Sequence, residues 1–369
     1  MEGNTKQKQL SVLQFILSIS IALFAFLWSL DLMTSTFHAI GNETVIKILS
    51  ITSNPFISLF IGLFITAVIQ SSSTSTSLIV AVVASGGMTL ENAVPMIMGA
   101  NIGTTLTSTI VSLSYITNNK EFKNAIATGV MHDFFNIMTV MILFPLEYYY
   151  HLLSKLSTSI ASVFNLSTIP TKTGQVTSSG LFDFINSFLI DAINYEIILV
   201  LIAGASLFAS IKIISKIISK RMIGTSEERF QEVFFKHKLN SFGLGAMLTA
   251  GIQSSSITTS IIVPLGATGK IHLSKVFPYI VGANIGTTIT ALIAAFNKSE
   301  AAVSIALVHF LFNLIGTLIF LFIPYLKQLP IQYARKFGLM TMQYKVVGFF
   351  YILFVFFILP LALIFLNRL

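Results

Sequence analysis

The sequence has no cysteine, a single tryptophan, and few charged residues, which make up 10% of its 369 positions. Without cysteine the chain can form neither disulfides nor thiolate metal sites, and it cannot use a cysteine nucleophile. What it has in quantity is apolar: 54% of the residues are hydrophobic and 33 are Phe. One soluble core of ordinary proportions cannot bury so much apolar surface. The composition therefore predicts an all-α integral membrane protein that uses the lipid bilayer as its solvent.

Several nearly uncharged stretches approach or exceed the roughly 20 residues that a membrane-spanning helix needs. They are residues 11–30, 55–86, 93–116, 124–146, 195–211, 239–268, 276–296, 301–326 and 346–367. The first of them follows Lys6 and Lys8, but no small-x-small cleavage site closes it. We therefore expect a retained first helix rather than a cleaved signal peptide.

The net charge of +8 is carried by Lys and Arg in short segments between the apolar runs. This is the distribution of cytoplasmic loops under the positive-inside rule, and it argues against nucleic acid as a partner. We place the N-terminus, the basic residues between 212 and 238 and the segment 327–345 in the cytoplasm. Residues 150–190 are rich in Ser and Thr and poor in cations, so we expect that loop outside.

The chain contains an internal duplication. GLFITAVIQSSSTSTSLIV at 62–80 matches GAMLTAGIQSSSITTSIIV at 245–263, a constant offset of 183. The match continues to PMIMGANIGTTLT at 95–107 and PYIVGANIGTTIT at 278–290, and about half of some fifty aligned positions are identical. After six extra residues in the first copy, HDFFN aligns with HFLFN, so that His132 pairs with His309 and Asn136 with Asn313.

The duplication divides the chain into five parts. We expect an N-terminal helix and connection in 1–54, a first transport repeat in 55–148, an external loop, connecting helix and basic linker in 149–237, a second repeat in 238–326, and an amphipathic basic segment with a last transmembrane helix in 327–369. The loop charges place the entry of one repeat outside and that of the other inside. This predicts two inverted-topology repeats, an arrangement of many secondary transporters.

Each QSSS motif lies in the middle of an apolar stretch of about 30 residues, which fits a helical hairpin with its tip near the bilayer midplane. The start of the second helix exposes backbone N–H groups, and together with serine hydroxyls these can bind an anion. Serine also suits the tip as a helix cap. Irregular backbone at this depth is tolerated where it lines a cavity or is buried in protein, so the tip should face inward.

GANIGTT predicts a broken helix, because two glycines interrupt an apolar run while Asn and Thr offer neutral oxygens. Such oxygens suit a small hard cation such as Na+. Neither motif contains Lys or Arg. A bound anion would therefore need co-bound cations for charge balance, which is a physical reason to couple the two.

Other interpretations of these residues remain open. Ser, Thr and Gly also serve close helix packing in membranes. Ionisable groups inside a membrane are functional candidates, and this applies to the His132–Asp133 pair, although a structural hydrogen-bonded pair explains it equally well. An intramembrane serine hydrolase is a different class of function. Duplicated serines and histidines, and the absence of a G-x-S-x-G motif, argue against it. A passive channel is a further alternative.

The chain resembles the type II sodium-dependent phosphate cotransporter family in its short bacterial form. The motifs that carry the resemblance are QSSSTSTSLIV, PMIMGANIGTT and HDFFNIMTVMILFPLE, together with the second QSSS and GANIGTT. The resemblance covers both repeats. It implies a multi-pass protein of the cytoplasmic membrane that imports inorganic phosphate with Na+ by alternating access. Transport of another oxyanion, such as sulfate or a phosphonate, is the alternative, and homo-oligomerisation is left open.

The resemblance also assigns residues to roles. Those implied to bind phosphate are Gln70, Ser71, Ser72, Ser73, Gln253, Ser254, Ser255 and Ser256. Those implied to bind sodium, the only metal ion expected, are Thr74, Ser75, Asn101, Thr104, Thr258, Asn284 and Thr287. Supporting roles fall to His132, Asn136, His309 and Asn313. Electrogenic members carry an aspartate shortly after the first GANIGT, and Asn118 takes its place here.

Overall fold

The structure is a computed structural model that describes residues 54–84, 88–163, 182–193, 237–252, 254–269, 271–295 and 300–366, with scattered residues between 14 and 32 and between 195 and 235. Within these ranges the protein is helical and contains no strand. The expected spans 11–30 and 195–211 and most of the basic linker lie largely outside the described residues.

Fourteen α-helices follow one another in the described ranges. In the first half they are α1 Pro55–Ile69, α2 Ser72–Ala84, α3 Leu90–Gly103, α4 Leu106–Leu113, α5 Asn119–Tyr150, α6 Leu152–Val163 and α7 Asp183–Ala192. In the second they are α8 Lys238–Ile252, α9 Ser255–Ala267, α10 Leu273–Ala295, α11 Glu300–Thr317, α12 Pro324–Gln343, α13 Val346–Leu353 and α14 Leu359–Leu366. Short π-helical segments, Leu318–Phe322 and Phe354–Ile358, extend α11 and join α13 to α14.

Four helical stretches of the described chain are long and apolar enough to cross a membrane. They are Leu90–Leu113, Asn119–Tyr150, Glu300–Phe322 and Val346–Leu366. The last is the least covered by protein, whereas the first is almost wholly buried. The described part of the protein is thus all-α, with helices suited to several membrane crossings, as the composition predicts, and its last described helix presents apolar side chains outward.

Both QSSS motifs interrupt their helices at the same place. The first helix ends at Ile69 and the next begins at Ser72, while in the second copy the break lies between Ile252 and Ser255. In the first copy Gln70 adopts a left-handed backbone conformation with φ 55°. A left-handed residue cannot continue a right-handed helix, so it ends α1. The break brings two helix ends to the middle of the apolar stretch.

Glycines bring the backbones of α1 and α3 into contact, and the same pattern joins α8 and α10. A Cβ atom on Gly62 would lie 2.0 Å from the carbonyl oxygen of Met96, and one on Gly245 would lie 2.0 Å from that of Tyr279. These are equivalent positions of the two copies. Comparable close approaches occur at Gly99, Gly103, Gly282 and Gly286. Small residues permit such close packing of membrane helices. The α1–α3 pair and the α8–α10 pair are therefore packed in the same way.

The second helix of each QSSS motif packs on the other half of the chain. Helix α2 contacts α10 and α11, and α9 contacts α4 and α5. Apolar side chains of the two halves are also in contact. The ring centre of Phe135 lies 6.0 Å from that of Phe277 and 5.9 Å from that of Phe320. The two halves therefore share one interior, and the QSSS tips lie within it.

The sequence predicts a broken GANIGTT helix in both copies, and this prediction is wrong for the second copy. The first copy has a turn at Thr104 and Thr105 between α3 and α4, whereas α10 continues through its motif to Ala295. At the break the N–H of Thr105 donates to the carbonyl of Ile102, a tighter bond than the α-helical one. The carbonyl oxygen of Thr104 also lies 3.4 Å from the Ser256 hydroxyl of the second QSSS motif.

The helix after the second half, α12, lies along α5. Gly338 allows the approach, because a Cβ there would be 2.5 Å from the carbonyl oxygen of Lys123. At the start of α12, partial burial and the neighbouring charge of Lys238 lower the pKa of Lys327. Lys238 in turn places its Nζ 5.0 Å from the ring centre of Phe322. Two lysines thus crowd the junction between α8 and α12.

Candidate functional site

The first tip is built by local hydrogen bonds from its own hydroxyls. Ser71 caps α2, because its Oγ accepts from the N–H of Thr74 at 3.2 Å. The same oxygen lies 2.9 Å from Thr74 Oγ1. Ser75 Oγ donates to the carbonyl of Ser71 at 3.0 Å. These three residues therefore stabilise the turn, and their donor hydrogens are largely engaged.

The second tip repeats the cap with a different neighbour. Ser254 Oγ accepts from the N–H of Ile257 at 3.3 Å, and Thr258 Oγ1 donates to the carbonyl of Ser254 at 3.1 Å. Ile257 stands where the first copy has Thr74, so the hydroxyl-to-hydroxyl contact is lost. Gln253 lies outside the described residues. The caps of α2 and α9 are thus equivalent, whereas their side-chain contacts differ.

Ser256 joins the two tips across 186 positions of the sequence. Its hydroxyl lies 3.3 Å from the carbonyl oxygen of Gln70 and 3.4 Å from that of Thr104, and it can donate to either. Gln70 belongs to the first QSSS motif and Thr104 to the first GANIGTT. Ser256 itself is buried. The structure therefore brings three of the four motifs to one point in the interior.

Ser72 and Ser255 are the first helical residues after each tip. They are buried, with 5% and 2% of their surface exposed. Neither hydroxyl makes a hydrogen bond to another residue of the described chain. Ser73, by contrast, is half-buried and has a partner. Ser72 and Ser255 thus offer free hydroxyls at the two helix N-termini.

A network of buried asparagines lies beside the tips. Asn136 Nδ2 donates to the carbonyl of Asn101 at 2.6 Å, and Asn284 Nδ2 donates to Asn136 Oδ1 at 2.8 Å. Asn313 Nδ2 donates to Asn101 Oδ1 at 3.0 Å. All four side chains are at most 5% exposed. Two of these bonds join the first half of the chain to the second.

The network extends to His132, whose Nε2 lies within hydrogen-bonding distance of Asn284 Oδ1. Because that oxygen only accepts, Nε2 carries the hydrogen, and in the neutral ring Nδ1 keeps a lone pair. His132 Nδ1 is buried without a partner, and so are His309 Nδ1 and Asn313 Oδ1. A buried acceptor without a donor is costly unless a ligand satisfies it. These atoms are therefore candidate ligands for a cation.

Thr104 and Thr287 occupy equivalent positions after the two glycine-containing motifs. Each hydroxyl donates to the carbonyl four residues earlier, at 3.0 Å to Ala100 and 3.1 Å to Ala283. Both threonines are buried. A hydroxyl that donates to its own helix still has oxygen lone pairs available. They can accept from a ligand or coordinate a cation.

Asp133 is a buried carboxylate that the assignments from the sequence leave out. Thr109 Oγ1 donates to its two oxygens at 3.2 Å and 3.0 Å, and Tyr351 OH donates to one of them at 3.0 Å. The Asp133 side chain is wholly buried. Phe310 replaces Asp133 in the second copy, so the duplication does not single this residue out. A carboxylate within an apolar segment is the signal that could have identified it.

Asn118 has a structural role in this protein. It is exposed, and its Oδ1 accepts from the N–H groups of Lys120 and Glu121 at the start of α5. Those bonds make it the N-cap of that helix. Its contacts give no sign of a cation site.

Comparisons with known proteins complete the description of the site. The sequence model of the Na+/Pi-cotransporter family matches residues 25–164 and 206–359. Sodium-dependent phosphate transport protein 2B of Homo sapiens is 29% identical over 98% of this chain and 67% of that protein. Sodium-dependent phosphate transport protein 2A of Mus musculus is 31% identical over 92% of this chain and 65% of that protein. The chain spans about two thirds of the length of these relatives. No solved structure matches.

Proposed function

Because the chain belongs to the Na+/Pi-cotransporter family, we propose that it imports inorganic phosphate together with Na+ across the cytoplasmic membrane by alternating access. The observation that carries the proposal is the bond from Ser256 to Gln70 and Thr104. It unites the duplicated tips with a GANIGTT motif in the interior of a membrane protein. The names of the similar proteins, both sodium-dependent phosphate transport proteins, agree with this chemistry.

The two halves act as inverted repeats, each with a QSSS hairpin. The matching contacts of Gly62 and Gly245 support two equivalent units. The crevice that Gly62 and Thr66 of α1 share with Ser75 and Ile79 of α2 supports a chain that folds back at the tip. Opposite loop charges support the inversion. Two related halves around one site can expose it to each side of the membrane in turn.

Phosphate binds between the two tips. The N-termini of α2 and α9 carry unsatisfied N–H groups and the positive end of the helix dipole. Ser72 and Ser255 add buried hydroxyls without a described partner. A phosphate has only acceptor oxygens when fully ionised, so it matches a site made of donors. Gln70, Ser71, Ser73, Gln253, Ser254 and Ser256 complete the tips to which we assign this binding.

Sodium binds on the acceptor side of the same interior. Unpartnered Nδ1 atoms of His132 and His309 and the free Oδ1 of Asn313 supply lone pairs. The oxygens of Asn101 and Asn284 lie in the same network. Hydroxyls that bond only to backbone carbonyls keep lone pairs for the ion, and they belong to Ser75, Thr104, Thr258 and Thr287. Thr74 extends this set at the first tip.

Asp133 supplies the negative charge that a cation needs. An isolated ionised carboxylate is expensive to bury, and hydrogen bonds from Thr109 and Tyr351 offset only part of that cost. A sodium ion beside it would neutralise the charge. The tips contain no Lys or Arg, so cations must balance the phosphate charge, and the two ions are taken up together.

The decisive experiment uses the purified chain in liposomes with labelled phosphate outside. An inward Na+ gradient should drive phosphate above its equilibrium concentration, and an equal K+ gradient should not. Uptake that is indifferent to Na+ contradicts the proposal, and flux that never accumulates phosphate identifies a passive channel. Competition with sulfate and with methylphosphonate separates phosphate from other tetrahedral oxyanions, which hydroxyls and helix ends also recognise.

A further inference from the structure

A polar cavity lies away from the QSSS tips, where the end of α9 meets α5, α10 and α12. Its volume is about 170 Å³. Basic side chains of three different helices or turns line it: Lys123 from α5, His272 just before α10, and Arg335 from α12. Asn124 adds an amide. The cavity is therefore a junction of elements from both halves and from the C-terminal region.

The cavity carries uncompensated positive charge. The described residues of its lining include no Asp or Glu. Within the described chain, neither Lys123 nor Arg335 forms an ion pair. Lys123 is half-buried, and His272 and Arg335 are exposed, so solvent reaches the cavity. The first backbone N–H groups of α10, which begins at Leu273, lie at the same place and favour an anion.

Close approaches at three glycines hold these walls together. A Cβ on Gly266 would lie 2.0 Å from Thr128 Oγ1, so α9 and α5 touch. Gly269 has a φ of +72°, a conformation that favours glycine, and its Cβ position is 2.9 Å from Asn124 Nδ2. The approach of Gly338 to Lys123 fixes α12 in the same way. The basic groups are thus presented by a tightly packed frame rather than by a loose surface.

We propose that this cavity is a second anion site, which binds a phosphate group without Na+. Lys and Arg are the usual partners of phosphate oxygens, and Arg can contact two of them at once. The site lies at the end of α9 opposite to Ser255, so it is separate from the tips. The predicted orientation places it at the cytoplasmic face. The group can belong to inorganic phosphate or to a lipid head group, and the inference does not depend on the proposed transport function.

Binding is measured on the purified full chain in choline buffer without Na+, with inorganic phosphate as the probe. Labelled phosphate should bind saturably to the wild type and about tenfold or more weakly to the double variant Lys123→Gln/Arg335→Gln. The matched control is Lys336→Gln, an exposed cation on α12 that does not line the cavity. It should bind as the wild type does. Arg335→Glu tests the same point with one substitution, and unchanged thermal unfolding shows that each variant is folded.

Nanodiscs distinguish the two sources of the phosphate group. If free phosphate is the ligand, wild-type binding is equal in phosphatidylcholine and in phosphatidylglycerol discs. If a lipid head group is the ligand, phosphatidylglycerol displaces labelled phosphate from the wild type. Equal phosphate binding by the double variant and the wild type, or none by the wild type in phosphatidylcholine, overturns the proposal. Sodium-driven uptake is read separately, so failure of transport leaves this result interpretable.

Discussion

Asn284 donates its amide hydrogen to Asn136 Oδ1 at 2.8 Å, and this bond joins the second half of the chain to the first inside the membrane. Asn313 and Asn101, the residues at the equivalent positions, form the same kind of bond at 3.0 Å. Amide oxygen and nitrogen can exchange places in such a pair. A cation that takes the oxygen of one asparagine would therefore reorganise the bond between the halves, which links ion binding to their relative position.

A double-mutant cycle tests whether the Asn136–Asn284 bond holds the two halves together. Asn136→Ala and Asn284→Ala should each lower the free energy of unfolding in detergent, and their effects should not add. Hydrogen bonds inside membrane proteins suggest a coupling of roughly 0.6 to 1.7 kcal/mol. The control pairs Asn136→Ala with Asn118→Ala, whose side chain caps α5 at an exposed position. Coupling that is equally small in both cycles would show that the Asn136–Asn284 bond does not hold the halves together.

The glycine contacts predict a sharp contrast within one helix. Gly245→Ala would place a Cβ 2.0 Å from a backbone oxygen, whereas a Cβ on Gly243 meets nothing within 4 Å. We expect Gly245→Ala, and likewise Gly62→Ala, to cost about 1 to 3 kcal/mol or more through overpacking. Gly243→Ala should be neutral or stabilise α8 by up to about 1 kcal/mol. Thermal unfolding measures all three, and equal losses at 243 and 245 would disprove close packing between α8 and α10.

The sequence predicted much of this interior because the interior is duplicated. Each QSSS motif interrupts its helix where the hydroxyls cluster, and the paired asparagines meet in one network. The difference between α3–α4 and α10 could not be read from nearly identical motifs. At the first motif Ser256 of the other half contacts the Thr104 carbonyl, and no local pattern reveals such a contact. Asp133 was noticed but not assigned, because Phe310 replaces it in the second copy. Its partner Tyr351, 218 positions away and outside both repeats, could not be found from the pattern. An internal repeat in the sequence therefore predicts contacts that occur in both halves better than it predicts a single long-range contact.

Glu147 serves α6 as a buried cap. One of its carboxylate oxygens accepts from the N–H of Leu153 at 2.6 Å and from that of Ser154 at 3.2 Å, and the other accepts from the Ser154 hydroxyl. Glu147→Ala should cost roughly 1.5 to 3 kcal/mol, because buried donors lose a charged acceptor. Glu91→Ala, at the exposed start of α3, should cost less than about 1 kcal/mol. If thermal unfolding shows similar losses for both, the cap does not stabilise the fold.

The serines at the helix starts should matter for uptake more than for folding. Ser72→Ala and Ser255→Ala remove hydroxyls that bond to no described residue, so we expect little change in thermal unfolding. Each should raise the phosphate concentration for half-maximal uptake by about tenfold, which corresponds to the loss of about 1.4 kcal/mol. Ser162→Ala, on the exposed side of α6, is the control. Normal uptake by both tip variants would assign these serines to helix packing.

Asp133 should determine the sodium dependence of uptake. Asp133→Asn keeps the size of the side chain and its ability to accept from Thr109 and Tyr351, but removes the negative charge. The Na+ concentration for half-maximal uptake should therefore rise by about tenfold. Tyr351→Phe removes one donor and retains the charge, so its sodium dependence should change much less. An Asp133→Asn variant that takes up phosphate with unchanged sodium dependence would contradict this prediction. Asp133 would then serve only the packing of α4, α5 and α13, and sodium binding would rest on the asparagine network alone.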